Sequence, residues 1–307
     1  MYDVKVLGQR RRVEEGGPGL KSLKVGGVEV VALTDVEGAF FGLGQIFPGV
    51  LSGQWERYLR RYPFAFADAR TLYGRVGSYL LRLPSGRTVL VDAGIGPAAM
   101  GQGGSLMDEL SAAGVEPEDV DTVFLTNLHG DHIGWALTPQ GEPVFPGAWY
   151  VTQAVEWEAS ESYIGAALRP LDALGVLELL DGEEALSDQL TAIPTPGHTP
   201  GHSSLLVQDG GEGLVISGDV IAHPAQVTEP TWNIAFAMDK EATAYTREMF
   251  LEWVEADGLT VAAGHVPGTG FGRVGRDEDG RRAWVPLDET GDGDVPTEEV
   301  RHGGNAG

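Results

Sequence analysis

Apolar residues along the chain fall into short runs punctuated by glycine, proline and acidic turns. VGGVEVVALTDV (residues 25–36) reads as a strand leaving a Gly-Gly turn. GSYLLRLPSGRTVLVDAGIG (residues 77–96) reads as a hairpin, two apolar runs around PSGR. VDTVFLTN (residues 120–127) is a continuous apolar run and therefore a buried strand. Residues 150–160 begin as a strand and turn into a helix. Residues 190–221 read as strand, loop, strand, turn, strand, and 259–265 as one more short strand. Helical spacing is found over residues 105–115, with Gly114 as the stop. It is clearest over 240–258, with apolar positions at Tyr245, Met249, Phe250 and Trp253 and Gly258 as the stop. Strands that alternate with helices, together with hairpins, predict an α/β chain with two mixed sheets covered by helices in one domain.

Composition narrows the class more than the activity. The 307 residues suffice for one large core. No apolar run approaches the ~18 residues of a membrane span, and the N-terminus lacks the apolar stretch of a secretory signal. We expect a cytoplasmic protein with no membrane partner. A formal net charge of -24 makes this an acidic protein that repels phosphate backbones, so no nucleic-acid partner is expected. There is no cysteine, which excludes disulfides, thiolate metal sites and a cysteine nucleophile. We expect an N-terminal extension over residues 1–24, a catalytic domain over 25–287 and a flexible acidic tail over 288–307.

The candidate chemistry sits where apolar runs end. In TVFLTNLHGDHIGW (residues 122–135), His129, Asp131 and His132 follow a strand, and Asn127 stands where a further His would complete the alternation. His198 follows LTAIPTPG, Asp219 follows GLVISG, and His265 follows LTVAAG. Side chains at strand ends converge on one edge of a sheet, and imidazole with carboxylate suits zinc. Four of the seven histidines fall in such places. Each feature has a blander reading: a core or surface histidine, or a turn aspartate at Asp219. His202 reads as a supporting or packing residue, and His302 as incidental.

NLHGDH, PTPGHTPGH, SGDV and AAGHVPGTGFGRV, in that order, resemble the motifs of the metallo-β-lactamase superfamily across residues 25–274. VLVDAGIGP resembles the family's Asp-x-Gly turn beneath the site. The resemblance implies a four-layer αββα sandwich with a metal centre at one edge. It implies one metal site built from His129, His198 and Asp219, with Asn127 in place of the usual His, and a second from Asp131, His132, His265 and Asp219. The cofactor is then Zn2+, one or two ions, with the first site weakened by Asn127, though another divalent metal would also suit these ligands. An amide oxygen is a weak neutral ligand, and Asn127 reads equally as a ligand or as a hydrogen-bonding group. One subclass of β-lactamases in the family also carries Asn here and works with one zinc, but with a Cys ligand absent from this chain.

The implied activity is a metal-dependent hydrolase in which hydroxide made at zinc cleaves an ester-type bond. A lactone is the expected substrate, on the similarity of GDVIAHPAQV and GTGFGRV to the lactonase and organophosphate-hydrolase branch. Asp131 would orient the water and move its proton, and Asp219 would help protonate the leaving group. Thioesters and phosphotriesters are alternatives. So are a degenerate ligand-binding member and an iron-dependent oxidoreductase of the same fold. Homodimers are common in the resembling branch. For the substrate pocket the sequence offers His223, Trp135 and Phe41, with Phe40, Phe47 and Trp232 as further rim aromatics or else core.

Overall fold

Val28–Gly42 forms one long strand, and the first sheet is built around it. The computed structural model describes residues 14–17, 19–97 and 103–287. The first sheet holds β1 (Glu14–Gly17), β2 (Leu20–Val25), β3 (Val28–Gly42), β4 (Thr71–Arg82), β5 (Thr88–Val91), β6 (Thr122–Phe124), β7 (Trp149–Gln153) and β8 (Leu177–Leu180), in sequence order. β1 to β5 are antiparallel and β5 to β8 parallel. The second sheet holds β9 (Glu184–Ala185), β10 (Leu190–Pro194), β11 (Ser203–Asp209), β12 (Glu212–Ile216), β13 (Thr260–Ala262), β14 (Phe271–Arg276) and β15 (Arg282–Pro286). It is antiparallel except for β12 and β13, the pair joined through a long helical crossover.

The helices are α1 (Leu43–Ile46), α2 (Glu56–Arg61), α3 (Leu106–Ala112), α4 (Gly130–Ile133), α5 (Ala154–Ser160), α6 (Arg169–Ala173), α7 (Ala225–Thr228) and α8 (Lys240–Ala256). They give the sandwich four layers. Leu23, Val30, Leu81 and Phe124 meet Leu205, Val207, Ile216 and Phe271 between the sheets. Leu80, Leu90 and Val123 face outward onto Leu106 and Leu110 of α3 and Leu171 of α6. Val215 and Val261 face outward onto Phe250, Leu251 and Val254 of α8. Strands in the middle layers are buried on both faces, which is why they read as unbroken apolar runs rather than alternations. Removing a buried ring such as Phe124 costs about 3–5 kcal/mol. The αββα architecture expected from the sequence is present.

Two details differ from the sequence reading, and a third lies beyond the described residues. The first sheet starts before residue 25: β2 pairs with β3, and Leu20 and Leu23 are buried, so the expected 1–24 extension contributes to the core. The expected tail, 288–307, lies outside the described residues. On α8, capped by the Asp239 side chain, the buried face is Thr243, Arg247, Phe250, Leu251 and Val254, while Tyr245 and Met249 are exposed. Arg247 is buried because its guanidinium is spent on carbonyls: Nε donates to Val220 and Nη1 to Pro230 and Trp232. Among the described residues, no helix is long and apolar enough to cross a membrane.

Candidate metal centre and its pocket

The expected ligands lie just past the C-terminal ends of β6 in the first sheet and of β10, β12 and β13, which run the same way in the second. β6 closes at Phe124, and the loop after it carries Asn127 and His129 into α4, which presents Asp131 and His132. Glycines let the other loops come close. Gly197, at φ 132°, lies so near α8 that a Cβ would sit 2.4 Å from the Thr243 nitrogen. Gly218, at φ 51°, would meet His202 Nε2 at 2.5 Å.

Asp219 is the centre of the cluster. Its Oδ2 lies 2.9 Å from His132 Nε2 and 3.1 Å from His198 Nε2, and its Oδ1 lies 2.7 Å from His265 Nε2. His129 Nδ1 approaches His198 Nε2 to 2.9 Å. Asp131 sits 3.7 Å from His265 and 3.8 Å from His132. Two ligand groups result, His129–His198–Asp219 and Asp131–His132–His265, with atoms within 4.8 Å of one another in each. All six residues singled out by spacing are thus brought together.

Outer partners fix which nitrogen His132 and His265 present. His132 Nδ1 bonds Asp92 Oδ2 at 2.8 Å, leaving Nε2 to face the cluster. Asp92 is itself held by the Thr126 N–H and hydroxyl, and it is the one described non-glycine residue at positive φ, 62°. His265 Nδ1 donates to the Arg75 carbonyl at 2.9 Å, which again turns Nε2 inward. His202 is a support and not a ligand: its Nε2 accepts the Asp219 N–H at 2.9 Å. Burial pushes His202 down to about 3, so it is neutral and free to accept.

Asn127 is fully buried, with its nitrogen donating to Asp219 Oδ2 at 2.7 Å and its oxygen accepting the His129 N–H at 2.9 Å. Glu156, which sequence reasoning missed, is also fully buried and accepts the N–H groups of Leu128 and Gly201 at 2.9 Å each. Nothing in AVEWEAS distinguishes it from an ordinary solvated helix glutamate. Asp35 was missed for the same reason. It is buried and accepts from the nitrogens of Ile95, Gly96 and Leu106, tying down the turn beneath the site.

The donor set fits a divalent metal. His132 Nε2 and Asp219 Oδ1 are buried and lack an aligned hydrogen-bond partner, although other ligand atoms stand within 3 Å. Lone pairs aimed at a common point, rather than at one another, are what a cation completes. The charges agree. Burial opposes a charge on His265, but Asp219 and Asp131 outweigh it and raise the imidazole to about 9. Burial likewise works against the Asp219 carboxylate, yet the surrounding imidazoles of His198, His132 and His265 hold it well below the usual range. The carboxylates thus favour positive charge at His265 and His132, whereas burial pushes His198 down to about 4 and keeps its imidazole neutral.

A cavity of about 550 Å³ opens onto the cluster, lined by His129, Asp131, His198, Asp219 and His265 on one side. Phe40, Phe41, Phe47, Leu72, Ile234 and Phe236 form apolar walls. Phe41 and Phe236 meet edge to face at 5.8 Å, both partly exposed. Phe41 therefore lines the pocket as expected, but Trp135 and His223 do not. The Trp135 indole donates to Asp35 Oδ1 at 3.0 Å and packs with the first outer layer. His223 is buried among Phe47, Trp55 and Phe66, its Nδ1 accepting the Ala225 N–H at 3.1 Å. Trp232 packs on Trp55 and Tyr58 in the core.

Comparison with known proteins agrees with this geometry. An N-acyl homoserine lactonase from a Bacillus species is 29% identical over 163 residues, 46% of this chain and 61% of that protein. The N-acyl homoserine lactonase AttM of Rhizobium radiobacter is 30% identical over 177 residues, 52% of this chain and 64% of its own length. The chain thus spans less than two thirds of these relatives. Among solved structures, AidC, a dizinc quorum-quenching lactonase, superposes with a TM-score of 0.78 at 21% identity, over 92% of this chain and 99% of that one. The hydrolase AbOPH superposes with a TM-score of 0.74 at 24% identity, with the same coverage. The sequence matches the Metallo-beta-lactamase superfamily over residues 74–265, a span that holds every candidate ligand of the cluster, and the chain belongs to that superfamily.

Proposed function

We propose that the protein is a metal-dependent hydrolase that opens a lactone ring, an N-acyl homoserine lactone being the substrate class its relatives point to. The observation that carries this reading is the direct opening of the ligand cluster into an apolar cavity. Arg75 is the one Arg or Lys among the lining residues, and its guanidinium is spent on the Gly268 and Leu33 carbonyls. A neutral lactone with an apolar chain suits such walls. Among the described lining residues, an anionic β-lactam or a phosphodiester would find no Arg or Lys but the already engaged Arg75. Fold alone does not choose among hydrolases, since a ribonuclease from Thermus thermophilus also matches, at 33% identity over 53% of this chain. The net charge of -24 weighs against that second reading.

In this reading His129, His198 and Asp219 hold one metal ion, and Asp131, His132, His265 and Asp219 another, zinc in both cases. A bound ion there would supply Lewis acidity and a water of near-neutral pKa. The protein's part is orientation and proton transfer. Asp131, about a third exposed to the cavity, orients the attacking water and carries its proton toward the ring oxygen. Asp219 stays ionised, so we assign the leaving-group proton to Asp131 rather than to Asp219. Asn127 offers an N–H to Asp219 instead of a lone pair to a metal, so the first site has lost a ligand and binds more weakly.

The test is hydrolysis by the zinc-loaded protein of acyl homoserine lactones, thioesters, phosphotriesters and a β-lactam, each compared with chelated protein. We expect zinc-dependent turnover of the lactones to exceed the rest. Preference for a thioester or phosphotriester would move the assignment within the family. Turnover of none, with zinc bound, would leave a ligand-binding member.

A further inference from the structure

We infer that Glu156 is a positioning residue that holds the two loops of the weaker metal site in register. This deepens the functional reading above and rests on its metal centre, but concerns a residue that binds neither metal nor substrate. Glu156 lies in the first turn of α5 and is fully buried, yet no Lys or Arg among the described residues bonds it. Three donors converge on it instead. Oε1 accepts the Leu128 N–H at 2.9 Å and the Tyr163 hydroxyl, and Oε2 accepts the Gly201 N–H at 2.9 Å.

The two backbone donors come from different loops. Leu128 immediately precedes His129, and Gly201 lies three residues after His198. These are the two imidazoles that approach to 2.9 Å and share the first ligand group with Asp219. One carboxylate therefore ties the β6 loop of the first sheet to the β10 loop of the second, beside a single backbone bond from the Ser203 N–H to the Thr126 carbonyl at 2.8 Å. Gly201 is part of the device: a Cβ there would fall 2.2 Å from the Glu156 nitrogen. Tyr163 adds a second contact, its ring packing edge-on to His129 at 5.3 Å while its hydroxyl is spent on Glu156. The second ligand group has its own outer supports, Asp92 and the Arg75 carbonyl.

The asymmetry gives a specific test. Glu156→Gln keeps size and one acceptor, but turns an NH2 toward a backbone N–H that needs an acceptor. Zinc titration against a competing chelator, without substrate, reads the two equivalents separately. Glu156→Gln is expected to weaken the second, looser equivalent by about 10- to 100-fold, the usual effect of losing an outer partner, and to leave the tighter one unchanged. Tyr163→Phe should give a smaller loss in the same equivalent, and serves where Glu156→Gln does not fold. The visible spectrum of the cobalt-loaded protein should change in the same equivalent. Wild-type affinity for both equivalents in the variants, with only a lowered melting temperature, would overturn the inference and leave a structural glutamate. No zinc bound to the wild type would instead overturn the metal-centre reading, and the inference with it.

Discussion

The side chain of Asn127 bonds Asp219 through its nitrogen and the His129 backbone through its oxygen, at 2.7 and 2.9 Å. The second bond decides the first. A backbone N–H can only donate, so the amide oxygen must face it, and the NH2 must face the carboxylate. An NH2 offers no lone pair to a metal. We predict that Asn127→His raises zinc content, after mild dialysis, from near one equivalent per chain toward two. Elemental mass spectrometry of both proteins decides it, and two equivalents in the wild type would show that His129, His198 and Asp219 suffice.

Asp92 offers a separable test of the other site. Its carboxylate holds His132 by Nδ1, and its backbone is left-handed, at φ 62°. Asn tolerates that conformation among non-glycine residues, so Asp92→Asn removes the charge with little strain. It should weaken the tighter zinc equivalent by about 10- to 100-fold. Asp92→Ala should add about 1–2 kcal/mol of backbone strain. Chemical denaturation of the metal-free proteins should separate the two variants, and chelator competition should group them.

These supports mark how far the sequence could be read. The six clustered candidate ligands were legible because each ends an apolar run and each motif carries its own glycine or histidine spacing. The sandwich was legible because buried strands leave unbroken apolar runs. Glu156 was not, since one glutamate in AVEWEAS looks like any solvated helix residue until the fold places two loops against it. Trp135 and His223 were misplaced for the converse reason. Nearness in sequence to a ligand does not say which way a side chain turns, and both turn into the protein, onto Asp35 and the Ala225 nitrogen. On α8 the apolar residues Tyr245 and Met249 drew attention to the wrong face, because a buried arginine satisfied by carbonyls occupies the other.

Asp131 tests the chemistry directly. It is about a third exposed and bears on the cavity, so replacing it costs the fold little. Asp131→Ala should lower kcat of lactone opening by about 10²- to 10⁴-fold, the usual contribution of a positioned acid-base group. Steady-state kinetics at saturating zinc check this, and wild-type kcat in the variant would remove Asp131 from the mechanism.

The rim aromatics should govern chain-length preference. Phe41 and Phe236 pack on each other at the open side of the cavity, 39% and 53% exposed. Phe236→Ala removes apolar surface that a long acyl chain can cover but a short one cannot reach. KM for a decanoyl lactone should rise several-fold, with burial of each chain methylene contributing about 0.8 kcal/mol. KM for a butanoyl lactone should stay as in the wild type. Equal changes for both chains would place the acyl group elsewhere.

His223 ties stability to pH away from the metal centre. Burial among Phe47, Trp55 and Phe66 pushes its imidazole down to about 3 from the ordinary 6.5. The folded protein therefore keeps His223 neutral, while the unfolded chain takes up a proton once pH falls below 6.5. Between those values the unfolded state binds more protons, so stability falls as pH falls. The full contribution is present above the unfolded pKa and drains away toward the folded one, at most about 1.4 kcal/mol per pH unit. His223→Asn keeps an acceptor for the Ala225 N–H but does not titrate. The variant should be less stable than the wild type near neutrality, having lost ring packing, yet decline less steeply between about pH 6 and pH 5. Urea unfolding of both proteins in chelator, where metal release cannot contribute, measures the two slopes. Parallel slopes would mean that His223 carries its proton in both states or in neither.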